Sequence, residues 1–358
     1  MTRRMATAVA LTVGTMLAAL PAAAARATPT NQVYVSPAGD DSATGSAGAP
    51  FATLQRALDA APSGATVHLA AGAYLQDAVT RQPGVTITGP RGAVLRGAGG
   101  SRILQVRHDR TTLSGFTVDG LYGAQDSRDG YRDKLIYVMG TTPGDGVDGL
   151  RIRGMRLTNA GGECLRMRYL ITGADVAYNE IDRCGVDDFV FSGGGKNGEG
   201  IYLGTAPEQQ GLNGAPDARA DVSRDNRIHH NRINTRGNEC VDIKENSTAN
   251  VVEFNWCTGQ VDDKSAGLDA RGSGNTFRFN VVTGNLGAGV RFGGDRPTDG
   301  IDNSVYGNVV AGNAAGGIKF QATPQGRVCG NLMYDNGGGD SVGTYRDLFT
   351  PTASCEGN

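Results

Sequence analysis

The sequence predicts an all-β chain wound as a single-domain solenoid, and three observations carry that expectation. Six stretches repeat one pattern, a small or acidic residue followed by alternating apolar and polar positions: Glu163–Arg168, Glu199–Gly204, Glu239–Lys244, Ala266–Arg271, Ala288–Gly293 and Gly316–Gln321. Two-residue alternation makes each a short strand with one face in and one face out. An asparagine before a short apolar run returns at Asn179, Asn231, Asn255, Asn280, Asn308 and Asn331, with steps of 24, 25, 28 and 23 residues after Asn231. A period of this size marks a solenoid, whose repeats bury their apolar faces only against their neighbours. The 52-residue step from Asn179 to Asn231 fits two turns of that size. Glycine supplies 55 of 358 residues, well above the usual share of about 7%, and most stand beside the strands, where they mark corners.

Residues 1–27 read as a secretory signal: Arg3 and Arg4, an apolar stretch from Ala8 to Leu20, and a cleavage site at Ala25-Arg26-Ala27. The apolar stretch is too short for a membrane span and nothing later approaches one. Without Arg3, Arg4 and Arg26 the formal charge goes from −2 to −5, which leaves no broad basic field for nucleic acid. The expected product is secreted, with neither membrane nor nucleic-acid partners, and monomeric. Its six cysteines, an even number in an exported chain, suggest three disulfides. Pairing of neighbours (164 with 184, 240 with 257, 329 with 355) would clip adjacent turns, but fifteen pairings are open.

The solenoid is expected over residues 28–358. Tyr34 to Pro37 enter it as a strand. Over about 50–62, Phe51, Leu54, Ala57, Leu58 and Ala61 fall at helical spacing before Pro62-Ser-Gly64. A short amphipathic helix there would cap the open end, which otherwise exposes an unpaired strand edge. Thr66–Leu69, Val85–Thr88, Ala93–Leu95, Ile103–Val106 and Thr112–Val118 are short β-branched runs split by Gly or Pro. Residues 120–134 and 192–222 are insertions, either groove walls or surface loops.

This arrangement resembles the right-handed parallel β-helix of the pectate-lyase-like superfamily. The resemblance is carried by Pro50-Phe-Ala-Thr-Leu-Gln-Arg-Ala-Leu-Asp-Ala60, by Ser63-Gly-Ala-Thr-Val-His-Leu-Ala-Ala-Gly-Ala-Tyr74, and by the Asn-containing turns. It implies a fold rather than an activity.

Aligning the six stretches gives two inward lanes: Leu165, Ile201, Val241, Leu268, Val290, Ile318, and Met167, Leu203, Ile243, Ala270, Phe292, Phe320. The outward lane between them reads Arg166, Tyr202, Asp242, Asp269, Arg291, Lys319, and the next reads Arg168, Gly204, Lys244, Arg271, Gly293, Gln321. Strands about 4.8 Å apart bring Lys244 beside Arg271 and Asp242 beside Asp269. Glu239 and Glu199 stand at the rim, and Gly204 and Gly293 are expected to leave open space. Such a strip suits a polyanionic sugar chain, or it is only a solvated charge ladder.

Glu239-Cys-Val-Asp-Ile-Lys244, Arg271 one turn later and Gly289-Val-Arg291 are similar to the catalytic strip of polysaccharide lyase family 6, the family of chondroitinase B and alginate lyases. That resemblance implies β-elimination on a uronate-containing glycan, with Lys244 as base, Arg271 as acid or charge stabiliser and Glu239 as acidic ligand or orienter. The chain departs from the calcium-dependent members at Gly237, where they carry a second glutamate. Arg166, Arg168, Tyr202, Asp242, Asp269 and Arg291 are the expected substrate contacts. Calcium is the one cofactor suggested, at Glu239 and Glu199, because hard oxygen ligands suit it. A neutral lysine is needed as base; Arg271 favours it, whereas Asp242 and Asp269 oppose it. Two other readings are a glycoside hydrolase or glycan transferase using Asp242 and Asp269 as paired carboxylates, and a non-catalytic glycan-binding protein. The pairs Asp187-Asp188 and Asp262-Asp263 read as solvated turns, and the four histidines (His68, His108, His229 and His230) as structural or surface residues.

Overall fold

Strand pairing along the chain is parallel throughout the long sheets, as the repeat requires. The structure, a computed structural model, describes residues 31–356; the expected signal segment lies outside them. The chain forms a right-handed parallel β-helix of three parallel sheets, with eleven, ten and ten strands, beside a two-strand ribbon. The register is the one the alternation predicts: Leu165 pairs with Ile201, Ile201 with Val241, Val241 with Leu268, Leu268 with Val290 and Val290 with Ile318. Both inward lanes are fully buried. A slip of one residue would turn them all outward, which is why the apolar pattern fixes the stacking.

At one corner the asparagines stack into a buried ladder. Asn231 donates its backbone N–H and its side-chain amide to Asn255 Oδ1 (3.0 and 2.9 Å), and Asn255 does the same to Asn280. A second ladder, absent from the sequence reading, runs through Asn226, Asn250, Asn275 and Asn303. Each side chain satisfies corner backbone groups that no sheet partner reaches.

The Leu54–Ala60 helix begins at Thr53, whose side chain accepts from Arg56 N, and buries Leu54, Ala57 and Leu58 over the first coil. It is the expected cap. The disulfides join Cys164 to Cys184, Cys240 to Cys257 and Cys329 to Cys355, the neighbouring pairs.

Three sequence expectations are corrected. Asn179 donates directly to Asn231 Oδ1 (3.0 Å), so the 52-residue step is one coil, not two; the 192–222 segment contains that coil's own Ile201–Leu203 strand, and its remaining residues supply the extra length without a further turn. The run from Thr112 to Val118 bends at Gly115 (φ 85°) into two strands of different sheets. Lys134, placed inside an insertion, instead starts the Lys134–Val138 strand, which extends the sheet carrying the charged lanes.

Candidate active site

The six repeat strands stack side by side in one ten-strand sheet, and their outward residues form its outer face. A cavity of about 360 Å³ lies against that face. Lys244, Arg271, Tyr202, Asp242 and Arg291 line its floor. Glu199, Glu239, Asp262 and Ser265 come from the turns leading into the strands, and Lys196, Asn197, Glu208 and Gln209 from the 192–222 insertion.

The strip is not the solvated trough that the lanes suggest. Asp242 and Asp269 are register partners with no exposure, and Lys244 is only 7% exposed. Stacking two aspartates in a dry site demands cations. Lys244 Nζ stands 2.7 Å from Asp242 Oδ2, and Arg291 grips Asp269 through Nε (3.0 Å) and a terminal nitrogen (2.6 Å). Burial disfavours the Lys244 ammonium, but Asp242, Tyr202 and Glu199 outweigh it and hold the group above the ordinary lysine range. Asp242 is correspondingly held low: burial opposes its charge, and Lys244 and Arg271 overcome that. Lys244 is therefore an ammonium in the substrate-free cavity. Arg271 pulls toward the neutral amine and Asp242 against it, as the sequence suggests, and the ion pair with Asp242 is the stronger of the two.

Arg271 is held differently. Its contacts with Asp269, Glu245 and Asp295 are 3.8, 3.8 and 3.5 Å, and its buried Nε has no hydrogen-bond partner. Tyr202 lies with its ring between two cations, Arg166 at 3.6 Å and Lys244 at 4.7 Å from its centroid. Burial pushes its phenol up to about 12, so it keeps its proton.

Glu199, Glu239 and Asp242 bring carboxylate oxygens within 4.8 Å of one another, the one group of this kind among the described residues. Burial and neighbouring acids raise Glu199 to about 7 and Glu239 to about 8. Glu239 Oε2 and Asp242 Oδ1 are buried without a hydrogen-bond partner. Unpaired oxygens of an all-carboxylate set fit a hard cation such as calcium, with Asp242 in place of the second glutamate that Gly237 lacks.

Arg166 and Arg168 do not enter this cavity. They line a neighbouring one of about 310 Å³ with Arg102, Lys134 and Glu163. Gly204 and Gly293 do not open space either. Both have positive φ (94° and 136°), and an added Cβ would meet Ser247 or Gln321. Asp262, read from sequence as a solvated turn acid, is buried, binds Lys196 Nζ at 2.7 Å and lines the site. Its position just ahead of the Ala266–Ala270 strand, like Glu199 and Glu239 ahead of theirs, was the signal for it. Nothing in the sequence marks Gln209 or Glu208, which arrive on the insertion.

No curated protein matches the chain. Among solved structures, an alginate lyase from Paenibacillus sp. str. FPU-7 is similar with a TM-score of 0.61 and 21% identity, over 80% of this chain and 96% of that one. Pectate lyase Pel9A gives 0.54 and 15%, over 91% and 81%. The enzymatically active domain of bacteriophage CBA120 tailspike protein 2 gives 0.52 and 13%, over 78% and 39%. Likeness at these identities is one of fold. A family model described as "Periplasmic copper-binding protein (NosD)" matches residues 179–348, and one described as "Protein of unknown function (DUF1565)" matches residues 37–251. That second match spans more than half the sequence, and the chain belongs to the DUF1565 family.

Proposed function

We propose that this protein is a secreted polysaccharide lyase that cleaves an acidic, uronate-containing glycan by β-elimination, as a monomer. The observation that carries this reading is Arg271, a largely covered guanidinium whose carboxylate contacts lie at 3.5 to 3.8 Å and whose Nε has no hydrogen-bond partner, beside Lys244 and Tyr202 in one cavity. Its charge is free to meet a uronate carboxylate and to stabilise the dianion-like intermediate formed when the adjacent carbon loses its proton. Lys244, having first released its ammonium proton to solvent, takes that proton, the carbon–oxygen bond to the leaving sugar breaks as the double bond forms, and the Tyr202 phenol returns a proton to the leaving oxygen. For Lys244 to act as base, the charge of Asp242 must be drawn away. Arg271 does part of this. A calcium ion held by Glu199, Glu239 and Asp242 would supply the rest and polarise the substrate carboxylate. The oxygen-only donor set gives no support for carrying copper over from the NosD description. The three disulfides support an oxidising destination, as does the signal expected over residues 1–27.

One observation favours hydrolysis instead: Glu239, raised to about 8, remains a protonated acid at neutral pH. The Asp242 and Asp269 pair has less to recommend it, because each carboxylate is already engaged by a cation. One assay separates the readings. On alginate, polygalacturonate, glucuronan and glycosaminoglycans, with calcium and with chelator, a lyase produces an ultraviolet-absorbing unsaturated sugar. A hydrolase releases reducing ends without that absorbance, and a binding protein gives neither. Loss of absorbance in Lys244→Ala and Arg271→Ala, with folding retained, is the expected result; unchanged absorbance in Lys244→Ala refutes the assignment.

A further inference from the structure

We propose that the catalytic cavity is a blind chamber that takes the end of a glycan, so that the protein shortens polymers from a chain end instead of cutting within them. This rests on the lyase reading above. A chain lying along the stacked strands would cross from the coils before Tyr202 to those after Lys244. A strap blocks that path. Residues 206–213 leave the Ile201–Leu203 strand, turn at Pro207–Gln209 and fold back over the sheet. Four hydrogen bonds fasten the strap from below. Arg102 donates to Asn213 O (3.0 Å), Arg168 to Gln209 O and Leu212 O (2.9 and 3.4 Å), and Arg166 to Gln209 Oε1 (2.6 Å). Two of the three anchors are buried guanidinium groups, with Arg168 1% exposed. Among the described residues Arg168 forms no ion pair, so its charge is directed to strap carbonyls. Releasing the strap would leave a buried cation without acceptors, which is costly.

Under the strap the space is filled. Arg166, from the preceding coil, lies 3.6 Å from the Tyr202 ring centroid, and Lys244, from the following coil, lies 4.7 Å from it. This stack and Gln209 above it separate the two cavities, and Asn197 and Gln209 are the residues that border both. The chamber of about 360 Å³ equals roughly a dozen water volumes, room for a sugar ring or a pair of them rather than a through-running chain. Its other end is open: Lys264 is exposed, Lys319 is part-exposed, and the Asp295 side chain beyond Arg271 is well exposed. The chain end enters from that side, and Arg166, Arg168 and Gln209 act as positioning residues that stop it.

The test uses whichever of alginate, polygalacturonate or glucuronan gives the unsaturated chromophore with the full chain. Wild-type protein is expected to release only the shortest products from the first minutes, with viscosity falling far more slowly than absorbance rises. At equal mass of polymer, halving the chain length should double the initial rate, because ends are the substrate. Replacing residues 207–213 by two glycines should bring mid-sized products into the early digest, with circular dichroism confirming the fold. An early ladder of mid-sized products from the wild-type protein, or a rate indifferent to chain length, overturns the inference while leaving the lyase reading intact. No chromophore from any polyuronate overturns the lyase reading, and this inference with it.

Discussion

Removing the Lys244 side chain should damage both fold and chemistry, and the two losses can be separated. Lys244 Nζ lies 2.7 Å from Asp242 Oδ2, with side chains 8% and 1% exposed. At an effective dielectric of about 20, that contact is worth about 6 kcal/mol of attraction, most of it offset by desolvation of both ions. Deleting one partner leaves the other charge buried, which costs about 3–5 kcal/mol. Arg271, which also holds Asp242 low, puts Lys244→Ala at the lower end of that range. Truncating both residues removes the orphaned charge, so Lys244→Ala with Asp242→Ala should recover most of the lost stability. Activity should not recover. Loss of a general base costs roughly 10²–10⁴-fold, and the double variant still lacks it. Urea unfolding followed by circular dichroism measures the first effect, and the unsaturated-product absorbance measures the second. A single variant that loses less than about 1 kcal/mol would refute the buried-pair account, and a double variant that regains activity would refute the role of Lys244 as base.

Other groups give independent tests. Burial opposes the charge of Glu163, but Arg166 and Lys134 hold its carboxyl down to about 2, below the ordinary 4.5. Because the folded value is the lower one, its contribution of about 3 kcal/mol is present above pH 4.5 and lost as pH falls toward 2. Glu163→Gln should lower neutral-pH stability and flatten the acid limb of the urea-midpoint curve, and an unchanged limb would contradict this. The Asn255 side chain makes four hydrogen bonds, three along the ladder and one to Ile228 O, and Asn255→Ala leaves their partners unsatisfied, so a loss of at least about 3 kcal/mol is expected in urea unfolding. Removing the Cys240–Cys257 bridge, which closes a 17-residue separation, should cost about 3 kcal/mol; equal urea midpoints for Cys240→Ala/Cys257→Ala and wild type would speak against it.

The stacking was legible because one side-chain period serves every coil. Leu165, Ile201 and Val241 announce their pairing through apolar alternation, and burial of both lanes leaves no second register. The insertion was not legible in the same way. Outside the Glu199–Gly204 repeat, residues 192–222 carry no periodicity, and their length imitates a missing coil, so the step from Asn179 to Asn231 could be divided in two on paper but not in space. Lane arithmetic shows which way a side chain points and is silent on what covers it. Asp242 does point outward, as the pattern says, yet it is buried because the turns before the strands and the insertion build walls over it. Glycine misled for a related reason. A missing side chain at Gly204 suggested a gap, whereas its positive φ and the close approach of Ser247 show a crowded corner.

The same stacking that crowds the strip also selects its free member. Parallel coils bring like positions together, so Asp242 faces Asp269 with no choice of partner. Two buried aspartates at one spacing of the sheet are tolerable only if each secures a cation. Asp242 takes Lys244 from its own strand, and Asp269 takes Arg291 from the next coil. Arg271, on the strand of Asp269, arrives where the nearest carboxylate is already occupied in two places. Its remaining contacts reach only 3.5 to 3.8 Å, and its Nε is left without an acceptor. A guanidinium with unspent donors in a dry cavity is stabilised by an incoming carboxylate, and the neighbouring aspartates cannot turn to supply one without abandoning Lys244 or Arg291. On the lyase reading proposed above, the order of charges along the strip makes Arg271 the expected point of entry for an acidic sugar, and Lys244 the group that such a sugar would then meet.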